Sequence, residues 1–196
     1  MSRRRISLYS GLVLLAGGLL GWQWWTERRD DAEWAALVQR ALREEDEDAQ
    51  RLAIDGLKTR CQSNERHDDT KWLARKRRTI QALLDACHSD DPAVRLRAPK
   101  AVYEAAGLAF YGRSVKRLAD DPVDQEMRPT AVRALVAALN DTDADVRSEA
   151  VHYLAKLDEV PYEAKAGLFE ALRGKDPETR ADAARALRNL KPARGQ

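Results

Sequence analysis

The fold class that this amino-acid sequence predicts is an all-α solenoid of about four stacked antiparallel helical hairpins, preceded by one transmembrane helix. Three observations lead there. One register of residues recurs four times, an Asp stands at the same point of every copy, and an uncharged run lies between charged flanks near the start.

Leu42, Cys87, Leu139 and Leu172 fill the first position of the recurring frame, and Asp46, Asp91, Asp143 and Asp176 follow four residues later. Gln50, Arg95, Arg147 and Arg180 come next, then Ala53, Ala98, Ala150 and Ala183, then Leu57, Val102, Leu154 and Leu187. Val38, Leu83, Leu135 and Leu168 precede the first anchor by four residues, which puts both on one helical face. Each Asp stands where one helix stops and another starts. A short carboxylate there accepts from the free N–H groups of the next first turn, stabilising the helix by roughly 1 kcal/mol. Pro92 and Pro177 follow directly, at the first helical position, where a missing N–H costs nothing. The Ala lets two helices approach closely, and the last aliphatic closes the inner face.

The frames are 45, 52 and 33 residues apart. The last interval is a plain repeat length, and Leu157 and Leu190 extend its match. The longer intervals place insertions in the connections: Gln62–Thr70 reads as a polar loop, and Gly107–Pro129, with Gly112, Pro122 and Pro129, as a bent or partly helical excursion. The repeat domain runs over 32–190, in units of about 32–60, 70–106, 130–158 and 161–190, with a tail at 191–196. Cys87 occupies a leucine position and is expected to be a small buried hydrophobe. Cys61 and Cys87 fall about 20 Å apart in this arrangement, too far for a disulfide.

The run Leu139, Asn140, Asp141, Thr142, Asp143, Ala144, Asp145, Val146 and Arg147, with Ala150 and Leu154 after it, resembles a HEAT-type repeat. It resembles especially the short bacterial form, also seen in phycobilisome lyases. The resemblance covers about 32–190 and is strongest over 131–190; in 32–60 Gln50 replaces the family's arginine. It implies an α-solenoid with mostly protein-binding roles and no catalytic motif. The lyase kinship implies a rival: an enzyme or accessory subunit acting on a chromophore or a modified protein. A structural subunit of a larger membrane complex is a third reading, with the 107–129 insertion as its docking loop.

Arg3, Arg4 and Arg5, in a basic flank at 1–5, precede twenty uncharged residues, Ile6 to Trp25. As a helix that run spans about 30 Å, the thickness of a bilayer core. Trp22, Trp24 and Trp25 bunch where an aromatic belt meets headgroups, and residues 26–31 form a charged juxtamembrane linker. A cleaved signal peptide also begins with basic residues and an apolar run, but no Ala-x-Ala site follows here. A signal-anchor at 6–25 is therefore expected. The arginine bias favours a cytoplasmic N-terminus, which puts the helical domain in the periplasm of a bacterium as a single-pass inner-membrane protein. Gly17 and Gly21 form a G-x-x-x-G pair that would permit a homodimer.

The net charge of +2 resides at the start: residues 1–31 hold five Arg and three acids, and the remainder carries 29 of each sign. That balance argues against a nucleic-acid partner. Lys71, Arg75, Lys76, Arg77 and Arg78 cluster, and at helical spacing they read as a solvated face. His67, His88 and His152 are scattered, and adjacent Cys87 and His88 point about 100° apart on a helix, so no metal site is expected. No nucleophile elbow, phosphate loop or glycine fingerprint occurs, so no catalytic residue and no cofactor are expected. Arg95, Arg147 and Arg180 form either an internal ladder to the capping Asp of their own or a neighbouring unit, or a basic stripe for an acidic partner. Arg97, Lys100, His152, Lys156, Arg185 and Arg188 lie on the second helices, which line the concave face of a solenoid, and are the candidate partner-binding residues. The expected function is a membrane-anchored scaffold holding a protein partner, itself a membrane or periplasmic protein, near the bilayer.

Overall fold

The computed structural model describes residues 28–62, 70–108 and 122–191. The predicted anchor at 6–25, with Gly17 and Gly21, lies outside them. Among the described residues no helix is long and apolar enough to cross a membrane. The chain divides into a unit Met1–Ala36 and a unit Leu37–Gln196. In the first, the described residues are helical and Arg29 pairs with Glu33 one turn on, at 3.7 Å. The second holds the repeats.

Among the described residues eight helices follow one another: α1 (28–43), α2 (Glu47–Cys61), α3 (Thr70–Ala86), α4 (Pro92–Ala105), α5 (Pro122–Ala138), α6 (Ala144–Leu154), α7 (Lys165–Leu172) and α8 (Pro177–Arg188). A 3-10 turn, Tyr162–Ala164, leads into α7. Every second helix starts where its Asp predicts. Asp46 accepts from the Asp48 N–H at 3.0 Å, Asp91 from Ala93 at 2.9 Å, Asp143 from Asp145 at 2.8 Å and Asp176 from Thr179 at 2.6 Å. Turns as short as Cys87–Asp91 leave consecutive helices antiparallel, and α3 packs on α4, α5 on α6, and α7 on α8. The second helices form one row, α2 on α4 on α6 on α8, while α3 packs on α5 in the other layer.

The repeated apolar positions make the core between those layers. Ala53, Ala98, Ala150 and Ala183 are all buried, as are Leu57, Val102 and Leu154 and, from the first helices, Val38, Leu83, Leu135 and Leu168. A methyl side chain at the Ala positions lets neighbouring helices close together without a void. Leu172 and Leu187, in the fourth hairpin, are half-buried. The turn before the last hairpin is tied back to the C-terminal end of α8. Val160 donates to the Asn189 carbonyl at 2.9 Å, and Lys191 donates to the Val160 carbonyl at 2.8 Å.

Three expectations change. The excursion at 107–129 is helical from Pro122 onward, so the third hairpin starts at 122 and not at 130. Pro122 opens α5 at its first turn, and Pro129 sits inside α5, where it removes one backbone bond without ending the helix. Cys87 is only partly buried because it lies past the end of α3, whereas Cys61, in the last turn of α2, is fully buried; the two form no disulfide. Lys76 is not part of a solvated face. It is 1% exposed, and its ammonium meets the equally buried Asp124 at 2.7 Å. Asp124 also accepts from Arg128 at 2.9 Å, and Arg128 donates to the Ala106 carbonyl at 3.2 Å. Lys71, Arg77 and Arg78 do face solvent.

Candidate functional site

Register decides what the outer side of the second-helix row presents. Counting from each capping Asp, the sixth residue is Leu52, Arg97, Glu149 and Asp182, and the ninth is Asp55, Lys100, His152 and Arg185. Six and nine are one turn apart, so both rows share a face that runs across successive hairpins. The thirteenth residue adds Glu104 and Lys156 on the same side.

The six candidate residues therefore share the second-helix row, but they do not form a uniform basic stripe. Acidic residues in the same rows interleave with them. His152 Nδ1 lies 2.8 Å from Asp182, and Arg185 reaches that same carboxylate at 3.2 Å, which links α6 to α8. Burial pushes the Glu149 carboxyl up, and His152, Lys100 and Lys156 nearby oppose that shift. Beneath them Tyr103 and Tyr153 stack with ring centroids 5.0 Å apart. The Lys156 ammonium sits 4.4 Å above the Tyr153 ring and 5.8 Å from Tyr103. A cation over two aromatic faces is held by their quadrupoles while its other side stays in water. Burial, followed by the charge of Glu149, raises the Tyr153 hydroxyl well above its usual range, so it remains a neutral donor.

Arg97 differs from the rest. Its Nη1 donates to the Leu42 carbonyl at 3.4 Å, and it lines a groove with Glu45, Asp48, Leu96, Lys100 and Glu149. Arg188 is exposed near the last turn of α8. Glu149, Asp182, Tyr103 and Tyr153 escaped the reading of the sequence because only basic side chains were sought. Their offsets from the capping Asp were the available signal.

The arginine ladder is corrected in its partners. None of the three arginines bonds the carboxylate of a capping Asp. Arg95 donates through Nη1 to the Ser89 and Asp90 carbonyls at 2.8 and 3.2 Å. Arg147 reaches the Asp141 and Thr142 carbonyls at 2.7 and 3.0 Å, and Arg180 reaches Gly174 and Lys175 at 3.1 and 2.6 Å. Each guanidinium thus ties down the turn that precedes its own helix, since the carbonyls five and six residues back lie within its reach. Gln50, with a shorter side chain, donates to the Ala41 carbonyl at 3.0 Å. Arg95 alone continues into the next hairpin, to Asp141, at 2.9 Å from Nε and 3.3 Å from Nη2.

Among the described residues no group of three His, Cys, Asp or Glu side chains could hold a metal ion; His67 and Asp68 lie outside the described residues. None of the curated proteins compared matches the chain. Solved structures similar to it include an engineered protein, with TM-score 0.45 and 23% identity over 80% of this chain and 64% of the other. A designed armadillo repeat protein is similar at TM-score 0.44 and 17% identity, over 79% of this chain and 63% of that one. A second designed armadillo repeat protein, in complex with the peptide (KR)4, has TM-score 0.41 and 17% identity, with 79% and 80% covered. The chain thus spans under two thirds of the first two. Residues 112–188, which include the third and fourth hairpins, match the family described as HEAT repeats.

Proposed function

We propose that this chain is a membrane-anchored HEAT-like scaffold whose second-helix face holds a protein partner near the bilayer, for assembly or stabilisation of a membrane complex. The observation that carries the reading is the face itself. Rows at a constant offset from three capping aspartates present Lys100, Glu149, His152, Lys156, Asp182 and Arg185 over a floor of paired tyrosines. Both charge signs are represented, and aromatic rings lie beneath an exposed cation. Such a surface suits a polypeptide segment of mixed charge, because buried aromatics anchor an interface while alternating charges set its register. The uncharged run Ile6–Trp25 supports an inner-membrane anchor with the repeats in the periplasm. Anchoring would raise the effective concentration of a membrane-bound partner, so a weak contact suffices.

Two measurements test this. Affinity purification of the full-length chain in mild detergent should recover a partner that the double variant Lys156→Glu, Arg185→Glu loses; recovery of the same partner by the variant would remove this face. A reporter fused after Gln196 should be active only in the periplasm, and activity confined to the cytoplasm would overturn the placement.

A further inference from the structure

The junctions between hairpins are built on one register, which makes a missing partner visible. In the second hairpin, Arg95 uses Nη1 for the turn carbonyls and its Nε–Nη2 edge for Asp141 of the third hairpin. That is a two-pronged match of guanidinium to carboxylate. Asp141 stands two residues before the capping Asp143. In the fourth hairpin the residue two before Asp176 is Gly174. Arg147 occupies the position of Arg95 and uses Nη1 in the same way, on the Asp141 and Thr142 carbonyls. From its Nε–Nη2 edge no hydrogen bond runs to any described residue, because the position that would supply a carboxylate has no side chain.

Space is present where that carboxylate would lie. A groove between the third and fourth hairpins is lined by Arg147, Ser148, Gly174 and Lys175, with Leu139 and Val151 as apolar walls. Two acids near it are already engaged: Glu170 pairs with Arg173 at 2.7 Å, and Asp176 caps α8 through the Thr179 N–H. Asp145 and Lys175 are both exposed at the rim and offset each other.

We propose that this groove binds an Asp or Glu side chain of an extended partner segment through the Nε–Nη2 edge of Arg147, with an adjacent apolar residue against Leu139 and Val151. The chain supplies the template for this contact in its own Arg95–Asp141 pair. The inference rests on the reading that the partner is a protein, but it concerns the turn edge and not the second-helix face, so either surface can fail alone.

The test uses the full-length chain in detergent micelles and a fluorescent peptide of alternating Glu and Leu, with its Gln and Leu counterpart as reference. Anisotropy should show the acidic peptide preferred. Gly174→Asp should weaken it about tenfold or more, because an internal carboxylate then takes the Arg147 edge. Arg147→Ala should weaken it comparably. Gly174→Asp keeps the bonds of Arg147 to its turn and decides the matter if Arg147→Ala fails to fold. Gly174→Ala is the steric reference, since a Cβ there lies 3.0 Å from the Ala171 carbonyl; it should bind as wild type does. Equal affinity for both peptides, unchanged binding by Gly174→Asp, or equal loss in Gly174→Ala would each overturn the assignment.

Discussion

The junction between the second and third hairpins and the junction between the third and fourth solve one packing problem with different chemistry. The former relies on charge: Lys76 with Asp124 between the first helices, Arg77 with Glu126 at 2.5 Å, and Arg95 with Asp141 at the turn. The latter, neutral but for His152 with Asp182 and Lys191 with Glu159, relies on close approach and uncharged bonds. Asn189 donates to the Leu157 carbonyl at 2.8 Å, Ser148 meets Thr179, and Gly167 lies so near Leu139 that a Cβ would stand 2.8 Å from the Leu139 Cβ. The frames at the charged junction are 52 residues apart, and those at the neutral one 33. Where the chain runs straight from one hairpin to the next, backbone bonds and small residues set the spacing. Where a long connection intervenes, side chains that reach across must set it. The lesson for function is that the neutral junction leaves one guanidinium edge without the carboxylate its counterpart has.

Breaking the charged junction at its centre should have the largest effect. Asp124→Ala removes the carboxylate that Lys76 and Arg128 share in a buried site, and loss of one partner from such a cluster costs about 3–5 kcal/mol; urea denaturation at pH 7 measures it. A loss below 1 kcal/mol would show that water reaches the pair. Next comes the neutral junction. Gly167→Ala gains helix propensity but forces α7 away from Leu139, for a net loss of about 1–3 kcal/mol. A stabilised variant would show that the two hairpins can separate freely. The smallest effect sharpens the comparison through pH. Burial pushes the Asp141 carboxyl up, but the Arg95 guanidinium and the Asp143 N–H outweigh it and hold the group below its ordinary 3.8. Its stabilisation is therefore present above that value and fades as acid protonates it at lower pH. Asp141→Asn should lower the thermal midpoint by about 2–4 °C at pH 7, with a gap that narrows on acidification. A gap that widens in acid would contradict the assignment.

Much of the repeat was legible because caps and core positions are local properties. Asp46, Asp91, Asp143 and Asp176 were readable as helix starts, since a side chain that bonds the N–H groups two or three residues on needs nothing distant. The buried Ala and Leu rows followed from helical periodicity alone. The start of α5 was placed too late, at about 130, because Pro122 and Pro129 were assigned to a bent or partly helical excursion; at a first turn a proline is compatible with the helix, and inside one it removes a single bond. Lys76 was missed for another reason. Its helical spacing among arginines is that of an exposed face, and Asp124, 48 positions further on, pairs with it in the interior.

By itself, then, the sequence determined the number of hairpins, where each second helix begins and which faces turn inward, because those depend on residues within a turn or two of each other. Only the tertiary structure decided which charges meet, Lys76 with Asp124, Arg95 with Asp141 and His152 with Asp182, and that Arg147 lines a groove beside Gly174. A guanidinium or an ammonium carries the same charge wherever it stands in a chain. Its partner depends on which turns the packing of neighbouring hairpins brings within about 3 Å.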